Sequence, residues 1–314
     1  MMKNYLFGVD IGGTTIKMGF FNNAGELLAK WEIPTNTENN GSNILGDIAE
    51  AIKAKLAENN SSLDDVEGVG VGVPGPVGDD GTIYKCVNLG WGVFNAQEEL
   101  SGLLNGVKVK VGNDANVAAL GEMYKGGGVG YNNIVMVTLG TGVGGGVIID
   151  GKILSGANGA AGEIGHMPMN DGEECTCGCG KKGCLEQYGS ATGVVRLAER
   201  YLAANSSEET SLKSLDTITA KDVFDAAKAD DAVALKVVDQ MATILGKGMA
   251  MISCVVNPEA FVIGGGVSKA GDILINSIIE HYKKYAFHAS RETEFKIATL
   301  GNDAGIYGGV KMVL

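Results

Sequence analysis

Residues 5–33 read YLFGVDIGGTTIKMGFFNNAGELLAKWEI, and residues 134–154 read IVMVTLGTGVGGGVIIDGKIL. The two stretches follow one plan. An apolar run of strand length stops at a Gly/Thr turn and a second apolar run returns. Asn22-Asn23-Ala24-Gly25 in one copy, Asp150-Gly151 in the other, then opens a third run. Short β-branched and aromatic runs punctuated by Gly, Asn and Asp predict a strand meander. The same meander written twice predicts two related α/β domains. We place them at 1–118 plus about 300–314 for the smaller, and at 119–299 for the larger.

Working outward, Ile44, Ile48, Ile52 and Leu56 recur every four residues, the spacing of one helix face. Val66–Val73 is a Val/Gly strand ending at Pro74-Gly75-Pro76, and Val107–Val111 is another. Asn113-Asp114 sits after the latter, before a helical stretch Ala115–Tyr124. The last third reads as mostly helical: Ala191–Leu202, a helix opened by a capping box at Thr219-Ala220-Lys221-Asp222, and Ala232–Val256 stopped by Asn257-Pro258. Phe261–Ile263 is a short strand running into Gly264-Gly265-Gly266, with a helix over Ile273–Tyr282 after it. Ala304–Leu314 is expected to pack back on the first domain. Trp91 reads as a core aromatic in preference to a cleft wall, Met241, Met249 and Met251 as helix packing, and His281 and His288, with no cluster around them, as surface residues.

Composition narrows the function classes. With 25 Lys plus Arg against 37 Asp plus Glu, the net charge of −12 disfavours a nucleic-acid partner, whose phosphates attract cations. The start, MMKNYLFGVDIGG, has no long apolar region or small-residue cleavage site, and no apolar run reaches the ~18 residues of a membrane span. A cytoplasmic protein with no membrane partner is expected. The 49 glycines, about 16% against the usual ~7%, lack the Gly-X-Y period of collagen and cluster beside apolar runs.

Which nucleotide site would those clusters make? Gly140-Thr141-Gly142-Val143-Gly144-Gly145 fits G-x-G-x-x-G, but a dinucleotide fingerprint must open a helix, and here a strand follows. The G-x-x-x-x-G-K-[ST] phosphate loop is absent. What remains is a pair of Gly/Thr hairpin turns, Gly12-Gly13-Thr14 and Gly140-Thr141-Gly142. Either alone reads as hairpin chemistry, since Gly-Thr is common turn material. Together they predict phosphate binding by bare backbone N–H groups, one turn per domain. Asp10, just ahead of the first turn, suits Mg²⁺, which takes few carboxylates besides phosphates.

Cys175, Cys177, Cys179 and Cys184 fall within ten residues, with His166 upstream. In a reducing compartment such a cluster reads as metal-binding before disulfides. Five candidates serve four tetrahedral positions. The favoured set is His166, Cys177, Cys179 and Cys184, a closed and therefore structural Zn²⁺ site, with Cys175 spare.

The chain resembles the ROK-family sugar kinases, the bacterial glucokinases above all. The motifs are Asp10-Ile-Gly-Gly-Thr14, Val73-Pro-Gly-Pro76, Asn88-Leu-Gly-Trp91, Asn113-Asp-Ala-Asn116, Leu139-Gly-Thr-Gly-Val-Gly-Gly145, Gly162-Glu-Ile-Gly-His166 and Cys177-Gly-Cys-Gly-Lys-Lys-Gly-Cys-Leu-Glu186, in family order over nearly the whole chain. The resemblance implies an α/β fold of two ribonuclease-H-like domains of actin/hexokinase type around a central cleft. It implies an ATP-dependent hexose kinase making glucose 6-phosphate, with N-acetylmannosamine, mannose or fructose as alternative substrates, working as a dimer or tetramer. Asp114 looks like the general base. Gly75, Asn113, Glu163, His166 and Glu186 look like sugar ligands, with Asp114 beside them. Asp10, Gly12, Gly13, Thr14, Gly140, Thr141 and Gly142 look like the phosphate and Mg²⁺ site, and Gly264, Gly265 and Gly266 like neighbours of the adenosine. The extra Cys175 is the visible departure. The family also holds sugar-responsive repressors, but their helix-turn-helix is not expected here: nine residues precede Asp10, they read as a strand, and no basic recognition helix fits.

Overall fold

The computed structural model describes residues 4–314; residues 1–3, the start of the segment read above as lacking a leader, lie outside them. In chain order the elements are β1 (Tyr5–Ile11), β2 (Thr15–Asn22), β3 (Leu27–Pro34), the single turn α1 (Glu38–Gly41), α2 (Ile44–Glu58), β4 (Val66–Val73), β5 (Thr82–Ile83), β6 (Phe94–Asn95), α3 (Ala96–Leu103), β7 (Val109–Asn113), α4 (Asp114–Lys125), β8 (Ile134–Leu139), β9 (Val143–Ile149) and β10 (Lys152–Ile153). They continue with the single turn α5 (Glu186–Gly189), α6 (Ala191–Ala204), α7 (Ala220–Lys228), α8 (Ala232–Val256), β11 (Ala260–Gly264), α9 (Asp272–Tyr285), β12 (Glu294–Ile297) and α10 (Ala304–Val313).

The duplicated sequence becomes a duplicated topology. One sheet has the order β3-β2-β1-β4-β7 and the other β10-β9-β8-β11-β12. In the first, the meander pairs antiparallel, with Asp10 opposite Lys17, and β4 and β7 are added in parallel. In the second, β10 pairs antiparallel with β9, and β8, β11 and β12 are parallel. This is the ribonuclease-H-like arrangement, three meander strands followed by two crossover strands.

The chain divides into two compact units. The first comprises the residues up to Asn132, Gly146–Gly162 and Thr299–Leu314; the second comprises Asn133–Gly145 and Glu163–Ala298. The expected division at 118/119 would cut α4, which packs along α10 inside the first unit. The outer end of the β9–β10 hairpin joins that unit too, with Gly146 seated on Ala115 and Ala119.

Alternation in β1 explains how the first unit is filled. Phe7, Val9 and Ile11 face one core with Ile44, Ile48, Ile52 and Leu56 of α2, the helix face read from the four-residue spacing. Leu6 faces the other side, with Phe21, Ile306, Val310 and Val313, so α10 does pack on the first unit. Glycine lets that helix come close: a Cβ on Gly70 would lie 1.8 Å from the Gly309 carbonyl oxygen, and one on Gly308 1.7 Å from that of Val117.

Two side-chain expectations fail. Met241 and Met249 are buried, but Met251 is 46% exposed, because a 25-residue helix turns one stripe to solvent. His281 is no surface residue. It is buried under α8, with Nε2 2.7 Å from Asp239 and Nδ1 3.1 Å from the Thr243 hydroxyl. Its partners come from another helix, which no local sequence window reveals. Trp91 is buried as expected, its indole N–H donating to the Gly41 carbonyl at 3.0 Å.

Candidate active site

In the first unit the chemistry gathers where β7 becomes α4. Asn113 is the last strand residue and the helix cap, its Oδ1 accepting from the Asn116 N–H at 3.1 Å. Asp114 is therefore not the cap but the first helical residue. Its Oδ1 accepts from Ala115 N–H at 2.8 Å and from Asn113 Nδ2 at 3.0 Å. Asn113 Nδ2 also reaches the carbonyl of Gly75 at 3.0 Å. Gly75 has φ +96°, a backbone that L side chains rarely adopt, and the following turn folds back through this residue. Asn113, Asp114 and Gly75 are thus one hydrogen-bonded group.

Asp10, at the other end of the first turn's approach, sits where Gly305 at the start of α10 leaves no room for a side chain: a Cβ there would be 2.6 Å from its Cγ. Burial raises the Asp10 carboxyl above its ordinary value, and Lys17, 3.8 Å away, draws it down. Lys17 was not singled out from the sequence; the cross-strand register opposite Asp10 is the signal for it. The Gly12 N–H donates to Thr15 and closes the turn Gly12-Gly13-Thr14.

The second unit carries the matching turn. Gly140 N–H donates to Gly142, and Gly140 and Thr141 border a cavity of about 500 Å³. Its other walls are Ala191, Thr219, Phe224, Val267 and Ala270, with Lys228, Lys269 and the ion-paired Lys221 and Asp225 also contributing. An apolar slot with a few cationic groups suits a nucleoside whose phosphates emerge at one end. Of the three consecutive glycines only Gly266 lines it. Gly264 ends β11 against Ala298 and Met136, and Gly265, at φ +84°, lies against the Leu139 backbone, so these two shape the wall from behind. The residues contributed by α7 and its capping box, whose Thr219 and Asp222 hydrogen-bond reciprocally, were missed as site residues because that helix carries no glycine motif.

In the same unit a small ribbon, with bridges Pro168–Cys184 and Thr176–Lys182, folds the cysteine segment back on itself. Ligand atoms of His166, Cys177, Cys179 and Cys184 all lie within 4.8 Å of one another. Cys179 and Cys184 sulfurs are 3.6 Å apart, and His166 Nδ1 is 3.7 Å from Cys177 Sγ. Zinc–sulfur bonds of about 2.3 Å put tetrahedral ligands about 3.8 Å apart, so the set fits zinc. Cys175 lies outside it and faces Arg200 at 3.4 Å. Burial, with hydrogen bonding to the Glu186 carboxylate at 2.8 Å, pushes the Cys177 thiol up to about 12. A metal cation reverses that bias, since a coordinated thiol gives up its proton.

His166 joins the cluster to two carboxylates. Its Nδ1 is 3.6 Å from Glu186 Oε1, and its Nε2 is 3.8 Å from Glu163 Oε2. One ring edge faces the thiols and the other Glu163. Glu186 also reaches the Gly140-Thr141-Gly142 turn: a Cβ on Gly142 would be 2.7 Å from its Oε2. Glu163, His166 and Glu186 are therefore brought together, beside Gly142.

The sequence profile of the ROK family spans residues 6–314. The chain belongs to the ROK family. It is 48% identical over 313 residues to a glucokinase of Halalkalibacterium halodurans, covering 98% of this chain and 94% of that one. It is 36% identical over 318 residues to a glucokinase of Thermotoga maritima, covering 100% and 98%. A ROK family glucokinase from Streptomyces griseus, solved with glucose and AMPPNP, superposes with a TM-score of 0.71 at 32% identity over 98% of both chains. ROK membership gives the two topologically matched sheets their place in the actin/hexokinase-type fold. Among the described residues no helix is long and apolar enough to cross a membrane.

Proposed function

We propose that the protein is an ATP-dependent hexose kinase that phosphorylates glucose to glucose 6-phosphate. The observation that carries this reading is the Asn113–Asp114–Gly75 group at the head of α4, in a chain whose glucokinase relatives match it end to end. Asp114 is the general base: held by the Asn113 amide and the helix start, it accepts the proton of a sugar hydroxyl as that oxygen attacks the γ-phosphorus and the bond from phosphorus to the β,γ-bridging oxygen breaks, releasing ADP. Gly75, Asn113, Glu163, His166 and Glu186 are the sugar ligands. A hydroxyl missing or inverted in another hexose leaves one of these polar groups unpaired, which is the physical basis of discrimination. The cavity beside Thr141 takes the nucleoside of ATP, and the turns at Gly12–Thr14 and Gly140–Gly142 take its phosphates. Asp10 would hold Mg²⁺, which would supply neutralisation of the phosphate charge. His166, Cys177, Cys179 and Cys184 would hold a structural zinc, which would fix the segment that bears Glu163 and Glu186.

The test combines a variant with a sugar panel. Asp114→Asn is expected to lower kcat by about 10²–10⁴ without changing the thermal melt, because only the proton acceptor is lost. Near-normal turnover would remove Asp114 as the base. Glucose is expected to lead mannose, fructose and N-acetylmannosamine in kcat/KM, and a different leader would reassign the substrate.

A further inference from the structure

In each Gly/Thr turn two carbonyl groups accept from donors outside the turn. In the first unit, the Thr35 hydroxyl donates to the Gly12 carbonyl at 2.7 Å, and the Thr35 N–H donates to the Thr14 carbonyl at 2.9 Å. In the second, the Thr192 hydroxyl donates to the Thr141 carbonyl at 2.8 Å, and the adjacent Ala191 N–H donates to the Gly140 carbonyl at 2.7 Å. Each unit thus uses one threonine hydroxyl and one backbone N–H, from a segment beyond the turn, on two carbonyls of that turn. The two threonines lie in unlike settings, Thr35 just after β3 and Thr192 in the first turn of α6.

A turn that binds an anion must present N–H groups to it, and a carbonyl aimed at a phosphate repels it. A carbonyl oxygen bonded to a fixed donor keeps its negative pole on that donor. We propose that Thr35 and Thr192 are positioning residues, which hold the carbonyls of the two turns away from the nucleotide phosphates so that the turn N–H groups face them. This rests on the reading of the turns as phosphate sites. Thr192 has a further connection. Its hydroxyl is 2.9 Å from Ser190 Oγ, which is 2.6 Å from the Glu186 carbonyl. The orientation of the second turn is therefore tied to the segment that carries Glu186.

The experiment uses the whole enzyme with Thr35→Val and Thr192→Val, which keep shape and delete the hydroxyl, and Thr35→Ser and Thr192→Ser, which retain it. Calorimetric titration with the Mg²⁺ complex of a non-hydrolysable ATP analogue is expected to show each Val variant binding about fivefold more weakly, the factor carried by a net hydrogen bond of about 1 kcal/mol. Adenosine, which has no phosphates, is expected to bind all four variants as it binds the parent. The Ser variants bind the analogue as the parent does. Parental analogue affinity in both Val variants overturns the proposal. So does an equal loss of adenosine affinity, which would mean general damage to the nucleoside cavity. A parent enzyme that binds neither compound would instead overturn the nucleotide reading on which the proposal stands.

Discussion

Glu173 is a fully buried carboxylate between two arginine nitrogens: Arg200 donates to its oxygens at 2.7 and 2.8 Å, and the Tyr188 hydroxyl donates at 2.7 Å. Hydrogen bonding from Arg200, opposed by burial, holds its carboxyl well below the usual carboxylate range. A depressed native pKa contributes stability that is complete above the unfolded value of ~4.3 and fades as pH falls toward the native one. Glu173→Gln is therefore expected to cost about 2–3 kcal/mol at pH 7, less than a wholly buried pair because Arg200 keeps part of its hydration. In denaturant unfolding, the gap between parent and variant should be constant above pH 5 and shrink below ~4. A gap that widens in acid would contradict the ion-pair account. The sequence offers Glu173 and Arg200 as ordinary charges 27 positions apart. The acid residues of the candidate site were legible for a different reason: Asp10, Asp114, Glu163 and Glu186 stand inside motifs whose local geometry is set by neighbouring Gly, Asn and Cys.

At the scale of elements, the strands and helices follow closely from periodicity, because each short run buries one face and the turns between carry Gly, Asn or Asp. The glycines needed a different explanation from the one that their clustering suggests. Several do lie in the turns, but Gly8, Gly70, Gly121, Gly308 and Gly309 let α10 lie against β1, β4 and α4. These contacts join residues more than 180 positions apart, so a sequence window sees only a glycine in a helix and a glycine in a strand. Gly308→Ala should therefore destabilise the protein by about 3 kcal/mol through overpacking, read as a lower denaturant midpoint. Gly102→Ala, in α3, where a Cβ meets nothing, is the control and should be neutral or stabilising by up to about 1 kcal/mol. Equal effects of the two substitutions would refute the packing argument.

For the molecule as a whole, two units of one topology each contribute a Gly/Thr turn, while the cysteine segment belongs to the second alone. That segment is short of apolar side chains and rich in glycine, so on the zinc reading the metal would supply its order. The purified protein is expected to carry about one zinc per chain, held by four ligands. Stripping it with a chelator should lower the melting temperature and raise the KM for glucose, since Glu163, His166 and Glu186 lose their common anchor. Protein that contains no zinc when purified without chelator, or stripped protein with parental melting and KM, would remove zinc from the account.

The sequence by itself determined the strand meanders, their duplication, the capped helices and the family motifs, because these depend on neighbours within a few residues, where periodicity, turn chemistry and ligand spacing act. Only the tertiary structure decided which groups meet. It set Cys175 apart from the other thiols, turned Gly264 and Gly265 away from the cavity, brought α7 to its wall, paired His281 with Asp239, and set Thr35 and Thr192 on the carbonyls of the two turns. Those outcomes depend on close packing between distant segments, where a hydrogen bond or a missing Cβ acts over a few ångströms whatever the separation along the chain.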